Sequence, residues 1–221
     1  NAVPTPLTIT GLKTPNTVAH AVIRAMKRHG VDCTFGQSLP TMIQLSAEHG
    51  GIKQIAYRTE NAGGYMADAY ARVSGKPGIV TAQNGPAAAL LVAPLGEALK
   101  ASIPVIALVQ DVSRLHHDKN AFQDLDHVAM FTPVAKWVRR VGDASRVDDY
   151  VDQAFAMACS GRPGPVVLLL PADLLLEPAV ETARRACLGQ FPLDPVVASP
   201  DSVQRAAELL AKAKRPVVIA G

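Results

Sequence analysis

Short apolar runs alternate with amphipathic stretches along most of the chain. Val18, Ala21, Val22, Ala25 and Met26 recur at helical spacing behind Thr14-Pro15, which reads as an N-cap with proline at the first helical position, and Gly30 ends that helix. "VDCTFG" then reads as a short buried strand. After a loop from Gln37 to Pro40, a second helix is expected over roughly Thr41 to His49, closed by Gly50-Gly51. "IKQIAY" is the next strand, and a helix from about Asn61 to Val73 stops at Gly75 and Pro77. The strand "GIVTAQ", a helix from Ala87 to Ala101 and the strand "PVIALVQ" continue the pattern.

The alternation breaks at "DVSRLHHDKNAFQDLD", from Asp111 to Asp126, a polar stretch with no steady period. A loop of that length inside a compact α/β domain is usually functional or mobile. "PVAKWVRRV" reads as a strand, Val147 to Ser160 as a helix and "GPVVLLLPAD" as a buried strand. Strands that are continuous apolar runs alternating with helices predict a doubly wound α/β domain, its mostly parallel sheet covered by helices on both faces. That domain is assigned residues 1–176. Residues 177–198 are Pro-punctuated and read as a linker. Residues 199–221 open a fresh helix at Ser199-Pro200-Asp201, with Val203, Ala206, Ala207, Leu210 and Ala211 on one face, and then the strand "RPVVIAG". One helix and one strand cannot bury a core alone, so this part is expected to be the start of a second α/β domain.

Composition narrows the function classes. Nearly half of the residues are hydrophobic and there is no charge block, which excludes a disordered chain. The formal charge of +3 is small and scattered, so nucleic acid is not the expected partner. No apolar run approaches the ~20 residues needed to span a bilayer. No secretory leader is read at the Asn1 end, so neither membrane nor export is expected. Cys33, Cys159 and Cys187 are widely spaced, without a CxxC pair, which fits a reducing cytoplasm and core packing for Cys33 and Cys159.

In open parallel sheets, ligands bind at the carboxyl ends of the strands. Gly36, Glu60, Asn84-Gly85 and the 111–126 segment all fall at that edge. Taken alone, Glu60 is an acid in a helix's first turn, favoured by the helix dipole without any ligand. Gly63 and Gly64 cost about 1 kcal/mol each relative to alanine, so the pair points to a close approach. Neither a dinucleotide fingerprint nor a phosphate loop is present.

The run "RTENAGGYMADAYARVSGKPGIV" resembles the glutamate-bearing strand and helix of the pyrimidine-binding domain of thiamine-diphosphate enzymes. It is most similar to the acetolactate synthase-like group, whose pattern is roughly R-H-E-x-x-A-x-x-A-D-G-Y-A-R-x-T-G-x-P-G. "GVDCTFG" resembles that domain's first strand, and "NGPAAALLVAPLGEALKASIPVIAL" its S-G-P-G helix and following strand. "KNAFQDLDHVAMFTPVAKWVRRV" resembles the A-F-Q-E segment, and "SGRPGPVVLLLPADL" the closing strand. The likeness covers about Thr14 to Leu176, with the motifs in the family's order.

The resemblance implies a cofactor, thiamine diphosphate, and a catalytic role for Glu60. The family's glutamate hydrogen-bonds the pyrimidine ring nitrogen and favours the tautomer that activates the thiazolium ring toward a 2-keto acid. It also implies that Gly36, Asn84 and Gly85 lie at the cofactor, with Phe122, Gln123, His116 and His117 along the substrate channel. The activity implied is carboligation after decarboxylation. A 2-keto acid decarboxylase of the same superfamily and a non-catalytic pyrimidine-domain module are the alternatives. Paired histidines belong to the decarboxylases, although His116-His117 stands closer to Phe122-Gln123 here than in those enzymes. The chain departs from the family where Gln37-Ser38-Leu39-Pro40 replaces P-G-G, and where Asn84 and Ala87 flank Gly85-Pro86. Lys136 stands where similar synthases carry a lysine.

The family holds the diphosphate and Mg2+ on a separate domain with a G-D-G…N motif, which these residues lack, so no metal site is assigned here. The family's cofactor lies between subunits of a homo-oligomer. These residues alone are therefore not expected to turn over substrate, and FAD binding is left open.

Overall fold

The computed structural model describes residues 16–36, 43, 47, 48, 50–184 and 196–219. Six strands form one sheet: β1 (Cys33–Phe35), β2 (Lys53–Ile55), β3 (Gly78–Ala82), β4 (Val105–Asp111), β5 (Trp137–Arg140) and β6 (Val166–Pro171). Their order is β2-β1-β3-β4-β6-β5, and every pair is parallel. The helices are α1 (Val18–Arg28), α2 (Glu60–Ser74), α3 (Pro86–Leu90), α4 (Val92–Ala101), α5 (His127–Phe131), α6 (Val147–Cys159), α7 (Ala172–Leu176) and α8 (Pro200–Lys212).

Both faces of the sheet are buried because alternate strand residues serve opposite layers. Ile79, Ile106, Leu108, Val166, Leu168 and Leu170 join Val22 and Met26 of α1 and Val151 and Phe155 of α6 on one side. Val80, Ala107, Val109, Val167 and Leu169 meet Ala67 of α2 and Leu91, Leu95 and Ala98 beside or within α4 on the other. This is the doubly wound arrangement that the apolar runs predict. Cys33 and Cys159 pack against these cores but stay half-buried, and burial pushes the Cys159 thiol up to about 11. Among the described residues, no helix is long and apolar enough to cross a membrane.

Several elements differ from expectation for identifiable reasons. The α1 N-cap is Thr17, whose N–H donates to His20 Nδ1 at 3.2 Å; Thr14 and Pro15 lie outside the described residues. So do the loop Gln37–Pro40, most of the helix expected over Thr41 to His49, and Cys187. The helix expected from Ala87 to Ala101 is two helices, α3 and α4. Pro94 lacks the N–H that would bond the Leu90 carbonyl, and its ring would crowd that carbonyl, so the ladder breaks one turn earlier. "PVAKWVRRV" keeps only Trp137–Arg140 as strand, and ahead of it Asp126 caps an unexpected helix, α5, accepting the Ala129 N–H at 2.9 Å. Ser199 does cap α8, accepting the Ser202 N–H at 3.3 Å, but α8 buries none of its residues. The expected strand "RPVVIAG" is absent over 215–219. Val217, Val218 and Ile219 are exposed, with no neighbouring strand among the described residues to complete their hydrogen bonds.

A network of charges ties the segment after α7 to this domain. Arg28 reaches Asp148 at 2.7 Å and Asp152 at 3.3 Å, while Arg184 holds Asp152 at 2.6 Å and also pairs with Asp149. His29 stacks on Phe155, with ring centroids 4.0 Å apart, and its Nε2 lies 2.6 Å from Asp152 Oδ1. Burial lowers the His29 pKa below its usual 6.5, outweighing the hydrogen bond and charge of Asp152 that raise it; Arg28 lowers it further. The unfolded chain therefore binds this proton more readily than the folded one. The His29 contribution is intact above pH 6.5 and is lost as pH falls below that value through the depressed folded pKa. Thermal melts between about pH 7 and about pH 5 should show a declining Tm, with a shallower decline in His29→Gln. Equal slopes in the two proteins would remove His29 from the explanation.

Candidate active site

Because every strand runs the same way, all carboxyl ends share one edge. Gly36 follows β1, Glu60 follows β2, Asn84-Gly85 follows β3, and the polar segment starts at Asp111, the last residue of β4. Those strands are neighbours in the order β2-β1-β3-β4. At ~4.8 Å between strands, the candidate residues fall within roughly 14 Å along the edge. Gly36 is buried, and its N–H is used by the Ile55 carbonyl at 3.0 Å.

Glu60 is the first residue of α2, behind Thr59 in extended backbone. Its carboxylate is half-buried and makes no hydrogen bond or ion pair among the described residues. Two contacts set the angle of this helix. Tyr57 is buried and donates its hydroxyl to the Thr81 carbonyl on β3 at 2.7 Å, and its ring occupies the space a Gly63 side chain would need. A side chain on Gly64 would collide with Pro94 of α4. The glycine pair thus serves close packing of α2 between Tyr57 and α4, and Glu60 is carried at the front of a rigidly seated helix.

Asn84 and Gly85 meet the long loop directly. Asn84 Nδ2 donates to the carbonyls of Phe122 at 3.4 Å and Gln123 at 3.2 Å. Gly85 has φ 64°, and a Cβ placed there would lie 2.7 Å from Gln123 Cβ and 2.9 Å from its carbonyl oxygen. Only glycine fits that corner. Gln123 itself has φ 60°, a left-handed conformation held by the Asn84 contact. Phe122 projects into solvent at 84% exposure. His116 is exposed, whereas His117 is half-buried between Asp111 and Asp124, with ring nitrogens 3.8 Å from an oxygen of each.

The family model described as thiamine pyrophosphate enzyme, N-terminal TPP binding domain, matches residues 16–130, more than half of the chain. The chain belongs to that family. An acetolactate synthase large subunit from Parasynechococcus marenigrum is 34% identical over 223 aligned positions, covering 94% of this chain and 35% of that protein. A chloroplastic acetolactate synthase from Arabidopsis thaliana is 31% identical over 94% of this chain and 32% of its own length. A large subunit from Lactococcus lactis is 30% identical over 95% of this chain and 37% of its own. The chain thus spans about a third of the length of these curated relatives.

Lys136 lies apart from the candidate edge. Its Nζ donates to the carbonyls of Met157 at 2.5 Å and Ser160 at 3.0 Å, so it sits before β5, at the opposite edge, on the end of α6. Burial lowers its pKa, which fits this half-enclosed place.

Other residues were not singled out from sequence. His127 and Asp111 are fully buried, with His127 Nε2 accepting the Gly85 N–H at 2.8 Å and His127 Nδ1 lying 3.0 Å from Asp111 Oδ1. Arg140 donates Nε to Asp111 Oδ2 at 2.6 Å. Arg114 ties the base of the loop to α7 and to the turn after β5, through Asp173 at 2.8 Å, the Gly142 carbonyl at 2.9 Å, and Glu177. "DHVAMF" carried a faint signal, a histidine following a helix-capping aspartate, but its partners lie on other strands.

Folding brings Asp111, His117 and Asp124 together, with ligand atoms within 4.8 Å of one another. The Arg140 guanidinium on Asp111 Oδ2 opposes a cation there, so the grouping stands as an electrostatic cluster.

Proposed function

We propose that Gly36, Glu60, Asn84 and Gly85 take the pyrimidine half of thiamine diphosphate, in an enzyme that decarboxylates a 2-keto acid and joins the fragment to a second carbonyl, as in an acetolactate synthase. The supporting observation is the Glu60 carboxylate, half-buried at the sheet edge, without a partner among the described residues, inside the segment matching the TPP-binding domain. Its free acceptor positions suit a ring nitrogen that shares a proton. When bound, the cofactor supplies an electron sink for the pair left as the keto acid loses carbon dioxide. Glu60 holds the proton shared with the ring nitrogen. Gly36, lacking a Cβ atom, allows a flat ring to approach the backbone, while Gly85 lets Gln123 close the corner beside it. Phe122, Gln123 and His117 flank the approach of the keto acid, with exposed His116 at its outer margin.

We also assign the diphosphate and Mg2+ to another domain facing this edge in a homo-oligomer, and the cytoplasm as the compartment, in keeping with free thiols. FAD has no part in this assignment. A simple 2-keto acid decarboxylase is the alternative, favoured by the half-buried His117 at the loop.

The intact natural protein, supplied with thiamine diphosphate, Mg2+ and a panel of 2-keto acids beginning with pyruvate, should release carbon dioxide and form a coupled hydroxy-keto acid in equal amounts. Aldehyde as the sole organic product would favour the decarboxylase. Cofactor binding without turnover of any keto acid would leave a non-catalytic module.

A further inference from the structure

We propose that His127 is a positioning residue that holds the Asn84–Gly85 corner in shape for the cofactor, through a relay running from Arg140 to Asp111 to His127 to the Gly85 N–H. This rests on the functional assignment above, in which that corner faces the pyrimidine ring.

The relay's chemistry follows from donor and acceptor counting. A backbone N–H can only donate, so His127 Nε2, 2.8 Å from the Gly85 nitrogen, must carry a lone pair. The imidazole proton is then on Nδ1, where it is donated to Asp111 Oδ1 at 3.0 Å. Asp111 Oδ1 also accepts the Val112 N–H at 3.0 Å, and Oδ2 accepts Arg140 Nε at 2.6 Å. Burial raises the Asp111 carboxyl, but the hydrogen bonds from His127 and Arg140 and the Arg140 charge together hold it below its usual range. A charged aspartate is an acceptor only, which fixes the imidazole in one tautomer.

The geometry accounts for why this corner needs such support. Gly85 sits at φ 64° and ψ −125°, outside the ladder of β3, and α3 after it has only five residues. The β3–β4 register ends at Ala82 opposite Val109, so no strand bond holds Asn84 or Gly85. Side chains do this instead. His127 takes the Gly85 N–H from one side, and Asn84 reaches the Phe122 and Gln123 carbonyls on the other. Arg140 on β5, Asp111 on β4 and Gly85 after β3 are thereby joined across the same edge that carries Glu60. Removing the imidazole leaves the Gly85 N–H buried without an acceptor and frees the corner to shift against the loop.

The test uses the intact natural protein and three variants. His127→Phe keeps ring volume but has no acceptor. Asp111→Asn no longer enforces the tautomer. His127→Gln can accept the Gly85 N–H with Oε1 and donate Nε2 to Asp111. Hydrogen–deuterium exchange of peptides containing Gly85 should speed by at least about 10-fold in His127→Phe and Asp111→Asn, while β6 peptides stay protected. The thiamine diphosphate Kd, measured with Mg2+ by fluorescence titration, should rise about 10- to 100-fold in both and return to within about 3-fold of wild type in His127→Gln. A purely structural role would lower Tm in all three without the selective exchange or the glutamine rescue. Wild-type affinity and wild-type exchange at Gly85 in His127→Phe would overturn the proposal; if that variant does not fold, the same result in Asp111→Asn does so. Failure of the wild-type protein to bind thiamine diphosphate would instead count against the functional assignment, and the exchange data would still decide whether the relay holds the corner.

Discussion

Glu60→Gln is expected to lower kcat on the 2-keto acid by about 10²- to 10⁴-fold, with little change in melting temperature. Glutamine preserves size and one carbonyl acceptor but cannot share a proton with a ring nitrogen. The carboxylate has no partner among the described residues, so its neutralisation breaks no bond seen there. An acid that merely favoured the start of α2 would contribute about 0.3–1 kcal/mol to stability and nothing to turnover. Steady-state kinetics at saturating thiamine diphosphate and Mg2+, paired with thermal melts, separate the two roles. A kcat within about 10-fold of wild type would move the proton-sharing role away from Glu60.

Gly78→Ala should be the most damaging single-methyl substitution in the sheet. Gly78 begins β3, and a Cβ there would collide with the backbone carbonyl of Ala67 in the middle of α2. A backbone carbonyl cannot rotate aside as a side-chain terminus can. The helix must lift from the sheet, at the upper end of the about 1–3 kcal/mol typical of overpacking. For a domain of this size that corresponds to a Tm lower by roughly 5–10 °C. The same helix carries Glu60, so kcat should fall with it, since a shift of about 1 Å at a reacting group can cost on the order of 10²-fold. Gly142→Ala is the matched control: no heavy atom lies within 4 Å of its added Cβ, so both Tm and kcat should hold. Unchanged melting in Gly78→Ala would mean that α2 has slack which its packing does not indicate.

The strand and helix alternation was legible because both faces of a parallel sheet are buried, and continuous apolar runs such as "VVLLLP" and "VIALV" encode that directly. The helix stop at Gly75 was legible as well: its φ of 70° is a left-handed cap that glycine adopts without strain. The break between α3 and α4 was written in Pro94, yet the apolar periodicity around it masks the interruption. The terminal strand failed for the opposite reason. "RPVVIAG" has the composition of a buried strand, but a strand needs a hydrogen-bonding neighbour, and composition cannot supply one.

The candidate site divides along the same line. Residues next to a strand end, Gly36, Glu60 and Asn84-Gly85, are placed by topology as soon as the strands are known to be parallel. The motif gave Lys136 no place in the fold, and here it closes α6 through the carbonyls of Met157 and Ser160. The relay of Arg140, Asp111 and His127 spans residues 111 to 140 and ends on Gly85, so no local spacing announces it.

By itself, then, the sequence determined the layered α/β plan and the edge where Glu60 stands, since hydrophobic periodicity and strand direction are local properties that topology converts into a shared edge. Only the tertiary structure decided that the glycines after Glu60 make room for Tyr57 and Pro94. It likewise decided that a buried imidazole holds Gly85, because hydrogen bonds between distant segments depend on how strands are ordered in space.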